Sequence, residues 1–127
     1  MDRKLLLTTI ILPFIDYFYL SNVSNHFNTL IQKITKEKMN FNNNKAIIVY
    51  IFLILGIYHF IIKDINIDNI KQKLKDAFIL GIVIYGTFDF TNGAIFQHYD
   101  LQTSIIDTLW GGTLFTIVTY CVFHLLN

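Results

Sequence analysis

Residues 77–96 read AFILGIVIYGTFDFTNGAIF, a run whose only charged side chain is Asp89. About 20 helical residues span the ~30 Å hydrocarbon core of a bilayer, so this stretch reads as a membrane helix. A carboxylate at that depth costs about 3 kcal/mol or more, and a membrane protein holds one there for a reason. Working outward, three more apolar runs appear at 5–20, 46–62 and 104–126, and two of them carry their own aspartate, Asp16 and Asp107. No Lys or Arg shares these three aspartate-bearing segments, so the chain supplies no intramembrane counter-ion.

The rest of the composition agrees with a bilayer-spanning chain. Hydrophobic residues make up 54% and mean hydropathy is +0.49, while charged residues reach only 15% where a soluble domain carries about 25%. The second and fourth runs lack a polar face, which argues against a soluble helical bundle. Arg3 and Lys4 precede LLLTTIILPFI in the manner of a signal peptide. No small-residue cleavage site follows and Asp16 lies just beyond, so a retained helix is expected. The fold class is therefore all-α, a single domain over 1–127 with four transmembrane helices, integral and multi-pass. A net charge of +1 with no basic, aromatic-interleaved patch gives nucleic acid no footprint. The one cysteine, Cys121, permits no internal disulfide.

With four spans, both termini and the middle loop share one side, which carries Arg3, Lys4, Lys63, Lys71, Lys73 and Lys75. Lys33, Lys36, Lys38 and Lys45 fall opposite. That excess places the termini in the cytoplasm. Between the first two runs, Phe27, Leu30, Ile31 and Ile34 recur at helical spacing with Lys33, Lys36 and Lys38 mostly elsewhere on the wheel. Residues 26–38 are expected to form an interfacial amphipathic helix whose lysines face anionic lipid; a short helix packed on the bundle end fits the same pattern. Asn42, Asn43 and Asn44 then read as a turn.

Topology brings the three carboxylates to one leaflet. Asp16 lies four residues from its span end, Asp89 seven and Asp107 three, or roughly 6, 10 and 5 Å deep at ~1.5 Å per residue. Tyr85, Asp89, Asn92 and Phe96 share a helix face with Gly81 one turn back, and Asp107, Trp110, Gly111 and Leu114 make a similar stripe. Gly81, Gly86, Gly93 and Gly111 allow close helix approach. Pro13 is expected to kink the first helix before Asp16. Thr91, Asn92, Tyr17 and Tyr19 are available as hydrogen-bond donors.

Three roles fit such a cluster. Buried aspartates can bond Asn, Thr, Tyr or Trp and simply hold helices together, at ~0.6 kcal/mol per contact. Carboxyls gathered in a low dielectric can also take up a proton or a cation, or act as acid and base at the headgroup level. Enzyme signals are poor: the Gly-x-Gly-Asp element of intramembrane aspartyl proteases is missing, and TFDF around Asp89 does not replace it. No Gly-rich phosphate loop, serine elbow, His-x-x-x-His or Cys-x-x-Cys occurs, so no cofactor or metal is expected. His26 and His98 lie on the carboxylate side, His59 and His124 at the other end.

The motifs themselves resemble those of domain-of-unknown-function family 2177, small predicted membrane proteins of bacteria with relatives in large DNA viruses. The family pattern Tyr-Gly-Thr-Tyr-Asp-Leu-Thr-Asn is met by Tyr85, Gly86, Thr87, Asp89, Thr91 and Asn92, with Phe88 and Phe90 as variants. Its Asp-x-x-Trp-Gly is met by Asp107, Trp110 and Gly111. Its Leu-Asp-x-x-Trp-Leu has a counterpart in Ile15, Asp16, Tyr19 and Leu20, with Tyr in place of Trp. The resemblance implies four membrane helices with the three aspartates as motif residues, and it brings no activity with it.

The expectation is a small membrane protein, oligomeric, in which Asp16, Asp89 and Asp107, with Tyr85, Thr91, Asn92 and Trp110, bind or conduct a proton or cation. The alternatives are a structural or assembly protein of a cell or viral membrane, and a lipid-modifying enzyme.

Overall fold

The computed structural model describes residues 2–35 and 43–126. It holds four helices: α1 (Arg3–Thr35), α2 (Asn43–Ile57), α3 (Ile70–Ile95) and α4 (Leu101–Leu126). A π-helical turn, Tyr58–Ile62, continues α2 and closes with the Lys63 N–H on the Tyr58 carbonyl at 3.0 Å. All four are long and apolar enough to cross a membrane. Large apolar side chains point outward around the bundle, among them Phe14, Phe52 and Phe88. Such a surface suits lipid and not water.

Two sequence expectations change. Residues 26–35 do not start a separate interfacial helix; they are the last turns of α1. A 33-residue helix runs ~50 Å, well beyond the ~30 Å hydrocarbon thickness, so α1 prolongs its own axis past the span. An amphipathic wheel reads the same for a helix lying flat and for one standing upright, so the pattern alone did not decide. Asn43 and Asn44 open α2 instead of forming a turn, while Lys36, Lys38 and Asn42 lie outside the described residues. α1 runs through Pro13 without a break.

The chain ends are tied to the middle loop. Arg3 donates to the Leu125 carbonyl at 3.2 Å, and Lys4 Nζ to the Lys63 and Ile65 carbonyls at 2.9 and 3.5 Å. Lys73 Nζ reaches the Phe60 carbonyl at 3.4 Å. Apart from Ile65, which is in the loop, these carbonyls lie in the last turns of helices or at a C-cap, where positive charge stabilises a helix. Both termini and the middle loop therefore share one side. Toward that side the core is apolar, built on Leu12, Ile57, Ile62, Leu114, Phe115 and Val118.

α3 and α4 form an antiparallel hairpin joined by residues 96–100, and it is the most extensive helix pairing in the bundle. The reason is steric. A Cβ on Gly81 would strike the backbone of Gly111 and Gly112, and one on Gly112 would meet the Phe78 ring at 2.8 Å. Gly111 in turn leaves room for the ring of Tyr85. Gly86 faces Thr108 Cγ2 at 3.3 Å, whereas Gly93 meets only Ser104 Oγ at 3.8 Å, an ordinary contact.

Candidate functional site

α1 and α4 are antiparallel, and one register carries contacts from Arg3–Leu125 through Asp16–Trp110 and Tyr19–Asp107 to His26–Thr103. That register brings the motif aspartates together in the half of the bundle away from the termini. Asp16, Asp89 and Asp107 are all buried, Asp89 completely.

Each carboxyl is met by a tyrosine. Tyr50 Oη donates to Asp16 Oδ2 at 2.6 Å, Tyr19 Oη to Asp107 Oδ1 at 2.7 Å, and Tyr99 Oη to Asp89 Oδ1 at 2.6 Å. Trp110 Nε1 adds a bond to Asp16 Oδ1 at 3.0 Å. Its indole stacks on Tyr19, ring centres 4.6 Å apart and planes within 3°. Tyr19 lies within electrostatic range of all three aspartates and so stands at the centre of the group. Tyr19 thus supplies both an aromatic plate and a donor at that place.

The Asp89 carboxyl differs. It lies within hydrogen-bonding reach of the Asp107 carboxyl, yet its Oδ2 receives no N–H or O–H from the protein. The two observations agree once chemistry is considered: a carboxyl facing a carboxylate has a partner only if one of them carries a proton. Thr108 Oγ1, in the same α3–α4 seam, is also buried without a partner. Ser104 Oγ bonds the Asp89 main-chain oxygen at 3.3 Å.

The other expected residues fall around this core with different exposure. Tyr85 packs on Gly111, edge-on to Phe115, within electrostatic range of Asp16 and Asp107. Asn92 is half-buried and bonds Tyr99. Thr91 and Tyr17 are exposed and take no place in the group. Lys33 is exposed at the end of α1. Tyr50 and Tyr99 are the donors that motif reading did not single out; their signal was a tyrosine at the matching depth, four residues inside the second run and in the hairpin loop.

Tyr99 sits outside the spans. Burial, then its bond to Asp89, pushes its hydroxyl far above the usual phenol range, so it remains a donor. Asp100 caps α4: its Oδ1 accepts the Thr103 N–H at 2.7 Å. Hydrogen bonds from the Thr103 hydroxyl and N–H hold Asp100 below the usual carboxylate range, with help from nearby His26 and Lys33. His26 Nε2 pairs with Thr103 Oγ1 at 2.7 Å. Among the described residues no three His, Cys, Asp or Glu side chains converge closely enough to hold a metal ion.

The family model described as "Predicted membrane protein (DUF2177)" matches residues 3–124. The chain belongs to this family. Every residue of the cluster, from Asp16 to Trp110, lies within the matched region, and the protein is an integral, multi-pass membrane protein with four candidate spans. Comparison with curated proteins and with solved structures gave no match.

Proposed function

We propose that this membrane protein binds and exchanges a proton at the Asp89–Asp107 carboxyl pair. The observation that carries the reading is the bare Oδ2 of fully buried Asp89 beside Asp107. Two adjacent carboxylates in low dielectric repel strongly, and no Lys or Arg lies in the apolar runs 77–96 and 104–126 to compensate. One shared proton removes the repulsion, supplies the missing donor and leaves a single negative charge, the arrangement familiar from paired catalytic aspartates. A proton suits the site better than a metal cation, because no third ligand of the usual kind converges there among the described residues. Four helices enclose little volume, so a conducting path forms between copies in an oligomer. The excess of Lys and Arg on the terminal side favours cytoplasmic termini, and exposed Lys33 favours contact with anionic headgroups.

Asp16 supports the structural reading instead. Both of its oxygens are bonded, one to α2 through Tyr50 and one to α4 through Trp110, so it ties three helices together. The test is proton flux into proteoliposomes containing wild type or Asp89→Asn. Asparagine preserves size and hydrogen bonding but does not ionise. Wild-type flux above empty liposomes, lost in Asp89→Asn with the fold intact, is the expected result. No wild-type flux removes conduction, and equal flux in the variant removes Asp89.

A further inference from the structure

A groove of about 240 Å³ opens between α1 and α4 beside the carboxyl group, and its wall runs from Tyr19 to Phe27 on α1 and includes Thr103 and Gln102 on α4. From Tyr19 to His26 it rises seven residue steps, or ~10 Å of helix axis. One end is the exposed imidazole of His26, bonded to Thr103. The other end is Tyr19, whose hydroxyl bonds Asp107. The groove thus joins an imidazole on its rim to the hydroxyl that touches the carboxyl pair from α1.

From this placement we infer that His26 and the groove form the aqueous access by which protons reach Asp107, with Tyr19 as the last relay. The inference rests on the proton-binding reading of Asp89 and Asp107. The groove has room for several waters, and Tyr19, His26, Gln102 and Thr103 set polar atoms along an otherwise apolar wall to anchor them. In the step itself, a proton leaves imidazolium His26 and passes along the waters. The water next to Tyr19 protonates its oxygen as the Tyr19 O–H bond breaks and a new O–H bond forms on Asp107 Oδ1. One positive charge is lost at His26 and one negative charge at Asp107, so charge and protons balance. The charged groups around this end of the groove are Asp100, which lies within electrostatic range of His26, and Lys33, which lies within range of Asp100. Histidine fits the role because its charge changes near neutral pH.

The test uses the full chain in lipid nanodiscs, a rapid pH drop, and the infrared C=O stretch of protonated carboxyls, assigned by Asp89→Asn and Asp107→Asn. His26→Gln should load protons roughly a hundredfold more slowly, the usual scale for loss of a positioned acid or base, with the final band unchanged. Imidazole added to the buffer should restore the rate in His26→Ala. Tyr19→Phe keeps the stack on Trp110 but should stay slow with imidazole present, since its lesion lies beyond the groove. If His26→Gln, which preserves a bond to Thr103, loads as fast as wild type, the histidine is a strut between helices and the inference is wrong. Absence of any titrating carboxyl band in the wild type would instead overturn the proton-binding reading itself, and this inference with it.

Discussion

The α3–α4 seam and the α1–α2–α4 flank each bury an aspartate, and they treat it in opposite ways. On the flank, Tyr50 from α2 and Trp110 from α4 reach the two carboxyl oxygens of Asp16. In the seam, Gly81, Gly111 and Gly112 let backbones touch. There Asp89 meets Tyr99 from the loop and Asp107 from across, and one oxygen has no protein donor. Close backbone packing and full hydrogen bonding compete for the same space. Where packing wins, a carboxyl keeps an unmet need that a proton can satisfy; where side chains win, it becomes a fastener.

The largest expected effect comes from prising the seam open. Gly81→Leu adds four carbons where even a Cβ strikes backbone, and overpacking of this kind costs about 3 kcal/mol or more. Unfolding in mixed micelles should show that loss, and Gly93→Ala, facing only Ser104 Oγ at 3.8 Å, should be close to neutral. Equal tolerance of the two would mean that the seam is not held by backbone contact.

Next comes the contrast between the two aspartates. Asp16→Ala strands a phenol and an indole N–H inside the bundle, and a buried unpaired donor costs ~1–3 kcal/mol, so about 2 kcal/mol of stability should go. Asp89→Asn should cost under ~1 kcal/mol or even stabilise, because its amide supplies the donor that Oδ2 lacks. Trp110 is the only tryptophan and bonds Asp16 directly, so its fluorescence should shift in Asp16→Ala and hold still in Asp89→Asn. A reversed order of stability would erase the distinction between fastener and proton site.

Much of the seam is legible in the chain. Helical rise turns distance from a span end into depth, which is why the sequence alone puts Asp16, Asp89 and Asp107 in one leaflet. Helix phase likewise exposes Gly81 and Gly111 as contact points, but it treats Gly93 as their equal. Phase says which face a glycine occupies and not how far the hairpin has splayed by that turn. The donors Tyr50 and Tyr99 are harder to see. Tyr50 is on a different helix from its aspartate and Tyr99 is in a loop, so their reach depends on tilt and loop path. The upright end of α1 was invisible for the reason given by its wheel.

The smallest effect tests the point where seam and flank meet, the N-terminus of α4. Asp100 accepts the Thr103 N–H there, and its hydrogen bonds hold its folded titration below the ordinary carboxylate range. A lowered folded value means stability that is present above the unfolded pKa of ~3.9 and lost as pH falls through the folded value. Asp100 is exposed, so solvent screening keeps the charge contribution to a few tenths of a kcal/mol. Asp100→Ala should cost about 1 kcal/mol through the lost cap, whereas Asp100→Asn, an equally good cap, should keep stability at pH 6 and lose the acid dependence. Amide exchange at Thr103 and Ser104 is the sensitive measurement. Exchange there should quicken below pH 4, relative to an Asp100→Asn control, as the first turn of α4 frays. The loss should reach Asp107 and its pair through the seam before it reaches Asp16, whose bonds to Tyr50 and to Trp110, one helical turn deeper in α4, do not depend on that turn. Trp110 fluorescence that moves together with the Thr103 exchange would show instead that the two regions respond as one.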